Sequence, residues 1–476
     1  MGFIIYDLIF LVLFALAVGI FLYIGKKNIK KEGLLLLYKA SWGIKLINYV
    51  GGKYKRTLNF LSYVAIGLGY ILMAMMVYLF GKIVYIYAIM PNLVQAIKIP
   101  PIMPLIPYID KVVPNLGLPP FYFIYWILIL AVVAIPHEFF HGIFMKRSGV
   151  KIKATGFGFF PFFLPIFLAA FVEQDEKSFE KSSNFNQMAI LAAGTFANIL
   201  TAIFFFFIMW GFFAAAFTPA GVVFDNYAYS PVAVAGITMV NGISLDNPTY
   251  DNILELMNED GWNRIIVENE NYLVSKSMLA QQKNKEGIIM LYSDSPAINA
   301  NLSGAIYEIG NVFIDSTEKL STEISNYDVG EEILIKTINA EGDIEEYEII
   351  LEEHPENPEK GWVGIAFRDN SRSGIMGKII DTMSSFKDPH IHYEAKYDGL
   401  SKFIYNLLWW AVLICISVAL VNMLPVGIFD GGRFFYLTVL GITGSEVAAK
   451  KSFKFVTWFF LFLLAVLMAF WVVSFF

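Results

Sequence analysis

The sequence predicts a polytopic α-helical membrane protein with about six transmembrane helices, a membrane re-entrant hairpin and an inserted β-rich soluble region. Three observations predict it. Of 476 residues, 57% are hydrophobic and 16% charged, against roughly 45–50% apolar and about 25% charged in an average soluble domain. Apolar runs of about 20 residues recur, each long enough as a helix to cross a hydrocarbon core about 30 Å thick. Only one long stretch, residues 218–400, is polar, acidic and turn-rich.

The first span covers residues 3–24. Its lysines, Lys26, Lys27, Lys30 and Lys31, follow the apolar run, whereas a secretory signal carries them before it. Positive charge marks the cytoplasmic side, so the N-terminus reads as outside. Residues 33–57 mix apolar side chains with Lys39, Lys45, Lys53, Lys55 and Arg56, as expected of an amphipathic segment on the inner surface. A second span runs from about residue 59 to 90. Residues 91–120 hold eight prolines and two lysines, the composition of irregular outer backbone.

A third span, residues 121–145, ends on Lys146, Arg147, Lys151 and Lys153. Residues 157–172 are apolar but interrupted by Pro161 and Pro165 and too short to cross as a straight helix. They read as a re-entrant hairpin, tolerable only where protein or water satisfies the backbone. The fourth span is 188–217, and the last two are 403–424 and 453–476, separated by Arg433, Lys450 and Lys451. Counting crossings puts both termini and residues 218–400 outside a cell membrane and every lysine-rich loop inside, in agreement with the charge rule. Four parts follow: 1–118, accessory helices and outer loop; 119–217, a core of two spans and the hairpin; 218–400, the soluble region; and 401–476, C-terminal helices.

Within the soluble region, Ser230-Pro231-Val232-Ala233 recurs loosely as Ser295-Pro296-Ala297-Ile298, and each copy leads to a turn pair, Asn241-Gly242 or Gly310-Asn311. Residues 332–338 and 344–351 alternate around a glycine turn, a hairpin signal. One β-rich module is expected near residues 288–368 and a second, divergent or partial one near 220–287.

The single cysteine, Cys415, lies in an apolar run, which excludes an intrachain disulfide and any cysteine-based zinc cluster. A net charge of -6 without a basic domain argues against nucleic acid as partner. The sharpest chemical signal is His137-Glu138-Phe139-Phe140-His141. Histidines at i and i+4 share a helix face and can reach one zinc ion, and the glutamate between them can act on the water that zinc activates. With five histidines in the chain, chance produces such a motif in about three of a thousand sequences. Ionisable groups inside an apolar span are costly and mark function. Catalytic zinc usually takes a third protein ligand. The candidate is Asp430, in Asn422-Met423-Leu424-Pro425-Val426-Gly427-Ile428-Phe429-Asp430-Gly431-Gly432, where a proline ends a span and two glycines permit close approach.

His137-Glu138-x-x-His141 together with Asn422-x-x-Pro425-x-x-x-x-Asp430-Gly431 resembles the site-2 protease family of intramembrane zinc metalloproteases. Ala193-Gly194-Thr195-Phe196-Ala197-Asn198 is similar to that family's Ala-Gly-Pro-x-x-Asn signature, with Thr195 in place of the proline. The resemblance covers residues 120–217 and 400–440 strongly and the soluble region, as PDZ-like modules, more weakly. Residues 1–118 look like extra elements around the core.

The resemblance implies that His137, His141 and Asp430 bind one Zn²⁺ per chain and that Glu138 is general base and acid. Asn198 is implied near the substrate or the developing oxyanion; a helix-packing hydrogen bond is the alternative. Asn422 and Gly156-Phe157-Gly158, similar to a Gly-x-Gly of the family's membrane-embedded hairpin, are implied in substrate binding, the hairpin pairing with an unwound substrate as an added strand. The expected activity is endoproteolysis within or near transmembrane helices of single-span membrane proteins already trimmed by a first cut, in regulated intramembrane proteolysis. The PDZ-like region would act either as a size filter or as a binder of the new C-terminus. The competing reading is a non-catalytic membrane metal-binding, transport or scaffold protein.

Overall fold

Helix α1 (Phe3–Ile24) is followed by strands β1 (Ile29–Glu32) and β2 (Leu35–Ala40), the short helix α2 (Trp42–Lys53) and the long helix α3 (Lys55–Ile89). Helix α4 (Phe123–Arg147) leads into strands β3 (Ile152–Phe160) and β4 (Ile166–Gln174), the five-residue helix α5 (Glu176–Glu180) and the 33-residue helix α6 (Asn184–Ala216). Beyond the soluble region come α7 (Asp398–Asn422), α8 (Asp430–Thr443) and α9 (Glu446–Val473). Six of these, α1, α3, α4, α6, α7 and α9, are long and apolar enough to cross a membrane, so the protein is a polytopic helical membrane protein. The computed structural model describes residues 3–32, 35–40, 42–91, 94–95, 100–103, 105–112, 118–160, 166–282, 287–339, 341–355, 357–368, 378, 381–382 and 384–473. Pro161 and Pro165, and with them the tip of the hairpin, lie outside the described residues. The chain divides into a unit of Met1–Phe213 with Lys402–Phe476 and a unit of Ala214–Ser401.

In the first unit, α3 buries Leu58, Ser62, Ala65, Gly69, Leu72, Met76 and Phe80, a seam recurring every three or four residues as helix packing requires. A Cβ at Gly69 would meet Met423, Ala192 and Phe434 at 3.2–3.3 Å, so α3 packs directly on α6, α8 and the turn before α8. Expected as an extra element, it enters the same core as the catalytic-motif helix. Helix α1 is tied in by Asp7, which is buried. Its carboxylate accepts from the Tyr108 hydroxyl at 2.6 Å and from the backbone N–H groups of Phe123 and Ile124 at 2.8 and 3.0 Å. Helix α4 has no side-chain cap of its own, and Asp7 supplies one from another helix, satisfying the otherwise orphaned donors of its first turn.

Residues 33–57, expected as one amphipathic surface segment, divide into β2 and α2. Strand β2 pairs with β3 from Leu36↔Phe159 to Ala40↔Thr155, giving an antiparallel sheet of order β1-β2-β3-β4. Strand β3, which carries Gly156-Phe157-Gly158, is an interior strand, occupied on both sides by β2 and β4, so among the described residues the strand of the hairpin without a second partner strand is β4. Gly156 is glycine because a Cβ there would lie 1.9 Å from the Tyr38 carbonyl oxygen. Gly156→Ala should therefore separate β2 from β3 and lower stability by about 1–3 kcal/mol, the usual cost of overpacking. A lowered melting temperature with faster amide exchange in β2 would show this.

Besides two two-stranded sheets, Glu352–His354 with Asn357–Trp362 and Asn226–Tyr227 with Ile365–Ala366, the second unit holds two six-stranded sheets with separate cores. One runs in the order Tyr229–Ala233, Ile288–Ser293, Glu270–Val274, Asn263–Val267, Ile237–Val240, Ile243–Ser244. The other runs Ile344–Ile350, Glu332–Ile338, Ala305–Ile309, Phe217–Val223, Ile391–Ala395. Strand Ile288–Ser293, expected to open the 288–368 module, instead pairs with Tyr229–Ala233 in the first sheet. The loose repeat differs locally, since Pro231 lies in a strand while Pro296 starts a helical turn. The order beyond it is shared: a strand, a tight turn, a short strand, a helix (Tyr250–Glu255 or Thr317–Ile324) and two antiparallel strands.

Candidate active site

Helix α4 sets His137 and His141 one turn apart on one face, both buried. Their Nε2 atoms are 3.0 Å apart. Asp430, the first residue of α8, brings its Oδ2 to 3.4 Å from His137 Nε2 and 3.3 Å from His141 Nε2. Two glycines place it there. A Cβ at Gly431 would lie 2.4 Å from the Met423 carbonyl carbon, and one at Gly432 2.4 Å from the Val426 carbonyl oxygen. Only Cβ-free residues let the first turn of α8 press onto the chain that leaves α7.

Three successive turns of α6 serve this cluster. The Ile190 carbonyl accepts from His141 Nδ1 at 2.6 Å. Gly194 leaves the room the two rings occupy, since a Cβ there would sit 2.4 Å from His141 Nε2 and 2.5 Å from His137 Nε2. Asn198, fully buried, places its amide 3.1 Å from His137 Nδ1. Thr195 keeps α6 helical where the resembling signature has proline, its hydroxyl donating to Ala192 O at 2.9 Å.

The donor set fits a zinc ion. At Zn–N and Zn–O bonds of about 2.0–2.1 Å, a tetrahedral site has ligand-to-ligand edges of about 3.3 Å, close to the spacings between these atoms. Metal on both Nε2 atoms requires the protons on Nδ1, and each Nδ1 has a neighbour to receive it: the Ile190 carbonyl, and the Asn198 amide oxygen once the amide is turned toward it. Asn198 Oδ1 has no other partner, and amide orientation follows the hydrogen-bond network. Among the described residues, this is the one group of three His, Cys, Asp or Glu side chains close enough to share an ion.

Asn198 therefore stands behind the metal site. Its amide is enclosed against the ring of His137, as in the alternative weighed for it, a hydrogen bond between helices. Such partners fix ring orientation, and losing one typically costs 10–100-fold in metal affinity. Asn198→Ala should weaken zinc binding by about that factor and Asn198→Asp should restore it, as measured by competition with a zinc chelator. Asn422, at the end of α7, is half-buried and lines neither of the two cavities described next.

Glu138 Oε2 accepts from the Val172 N–H of β4 at 2.9 Å. Glu138 and Val172 line two cavities at once. One, about 450 Å³, contains His137, His141 and Asp430 and is bordered by Lys153, Glu173, Gln174 and Glu176. The other, about 300 Å³, is apolar and reaches α2. Beside the polar cavity, Asp175 caps α5 with its Oδ2 3.0 Å from Ser178 N, and that N–H holds its carboxyl below the usual range. Sequence reasoning missed the Ile190 carbonyl, the space at Gly194 and Val172; of these, only Gly194 lay in a motif already singled out.

Fold and site define a class: a helical membrane protein with a buried His-His-Asp metal centre and an adjoining glutamate. The model of Peptidase family M50 matches residues 125–467, and the chain belongs to that family. It is similar to the zinc metalloprotease RasP of Shouchella clausii (strain KSM-K16), 23% identical over 195 residues, a match covering 35% of this chain and 45% of the relative. The chain thus aligns with less than half the length of that relative. Family membership implies Zn²⁺, and His137, His141 and Asp430 are the residues that would hold it.

Proposed function

We propose that the chain is an intramembrane zinc endopeptidase that hydrolyses peptide bonds within or near transmembrane helices of membrane proteins. One observation carries the reading: Glu138 stands between the polar cavity that holds the ligand triad and an apolar cavity, and accepts from the Val172 N–H on the outer edge of β4. A helix hides its peptide groups in its own hydrogen bonds, so a substrate must first be extended. Beyond the Val172 N–H held by Glu138, the outer edge of β4 has no partner strand among the described residues and offers replacement bonds to an extended segment, as in strand addition.

Bound at the triad, zinc supplies Lewis acidity that polarises a carbonyl and acidifies water. Glu138 then takes a proton from the attacking water at a carboxylate oxygen and returns it to the leaving amine nitrogen. The His137 and His141 rings stay fixed through their Nδ1 bonds, and Asn198 keeps His137 oriented. Lys153, Glu173 and Glu176 border a wet mouth that admits water while the apolar cavity stays dry. The charge pattern of the loops supports an active site toward the cytoplasmic side of a cell membrane, with both termini and the two β modules outside. The shared element order of those modules supports a duplicated PDZ-like region that filters substrates by size or holds the C-terminus of a trimmed single-span protein.

The test uses the full chain, zinc-loaded in liposomes, with a single-span substrate. Cleavage should stop on chelation and return with zinc but not magnesium. Glu138→Gln should retain zinc yet cleave about 10²–10⁴-fold more slowly, the usual contribution of a general base. Equal rates for the two proteins would contradict the proposal.

A further inference from the structure

We propose that helix α2 completes a specificity pocket, the apolar cavity beside Glu138, which receives one large apolar side chain of the substrate at the residue adjoining the scissile bond. The inference rests on the protease reading and names what that site selects. The cavity is lined by Leu46 and Ile47 of α2, Pro136 and Phe139 of α4, Phe157 of β3 and Ala170 of β4, with Glu138 and Val172 in its wall. Because the same two residues also border the metal-site cavity, a segment lying on the edge of β4 would have its peptide group beside Glu138 and a neighbouring side chain in this space. Side chains of an extended strand alternate, so one neighbour enters and the next is turned away.

Size and lining decide what enters. An apolar cavity of about 150 Å³ stays dry and takes a benzene ring, and this one, about 300 Å³, has room for Phe, Trp, Leu or Met. A charged or amide side chain would lose its hydration among a lining in which Glu138 and Thr155 are the polar side chains, and burying such a group without full compensation is unfavourable. The wall is firmly held. A Cβ at Gly142, the residue after His141, would lie 2.7 Å from Ile47 Cδ1, and one at Gly51 would lie 2.8 Å from Ile143 O, so glycines on both helices let α2 seat closely on α4. Residues 42–53 lie outside the part that the family model matches.

The experiment offers the zinc-loaded chain in liposomes a set of single-span peptides that differ only at the two residues flanking the cut, with Phe, Leu, Ala or Asp there. One flanking position should show Phe and Leu cleaved at least about 10-fold faster than Ala, since each methylene in such a pocket is worth about 10–200-fold. Filling the pocket by Ala170→Leu, or by Leu46→Trp at an exposed position, should bring that ratio toward one. A second readout needs no turnover: in Glu138→Gln, a benzophenone side chain replacing Leu46 should cross-link to the Phe peptide at the flanking residue. A ratio unchanged by both fillings, or cross-links to lipid chains alone, would overturn the pocket. Absence of cleavage of every peptide would instead remove the protease reading, and the cross-link would still decide what the cavity holds.

Discussion

Asp430→Ala should leave the purified chain with almost no zinc and no zinc-dependent cleavage, against about one zinc per chain in the native protein. The loss follows from the way the third ligand is supplied. His137 and His141 come from one helix and together give two corners of a tetrahedron, which is too few for a catalytic site. Asp430 arrives from α8, and its Oδ2 lies 3.3–3.4 Å from both Nε2 atoms. No other described carboxylate, cysteine or histidine lies close enough to replace it. Asp430→Asn keeps the size but removes the charge and should also bind zinc poorly. If Asp430→Ala retained a full zinc complement by elemental analysis, another residue would be the third ligand and the site as drawn would be wrong.

Gly194→Val should have an effect of the same order without removing any ligand. Two carbon atoms in contact sit about 3.5–4.0 Å apart, whereas a Cβ at residue 194 would be 2.4–2.5 Å from the metal-facing nitrogens of both rings. Relief would have to come from the rings, which are held by Ile190 and Asn198 on the same helix, or from separating α4 and α6. Either movement destroys the tetrahedral spacing, so zinc content and cleavage should fall together, and even Gly194→Ala should suffice. Gly211 lies on the same helix with nothing within 4 Å of its would-be Cβ. Gly211→Ala should therefore be neutral or raise stability by about 0.5–1 kcal/mol. Equal behaviour of the two glycine variants in zinc content would refute the packing argument.

What could be read from the sequence was local. The two histidines and Glu138 announce themselves by helical spacing, the spans by apolar length, and the Asn422 to Asp430 segment by its proline and glycines; the fold brings His137, His141 and Asp430 to within 3.4 Å of one another. What could not be read depends on partners distant in the chain. Strand β2 belongs to a segment, residues 33–57, that looked amphipathic because basic residues are scattered among apolar ones, yet one side of β2 pairs with β3, about 120 residues later. That pairing closes the outer side of β3 at Gly156-Gly158 and leaves β4 as the hairpin's outer strand among the described residues. Asn198 carried a recognisable motif, but its orientation toward His137 is set by the packing of α4 against α6. The Ile190 carbonyl is a backbone group and has no residue-type signature at all. Asp7 was not singled out in its apolar span; its role emerges only when the N-terminus of α4 is seen to lack a cap of its own.

The most direct measurement compares membrane-protein fragments in cells that carry the native chain and in cells that carry Glu138→Gln, with zinc per chain determined for both proteins. The expected result is equal zinc, with single-span fragments accumulating only in the mutant cells and cut within or near their membrane helices in the native ones. Identical fragment patterns at equal zinc content would contradict the assignment of Glu138 as the proton-transferring residue of an intramembrane protease.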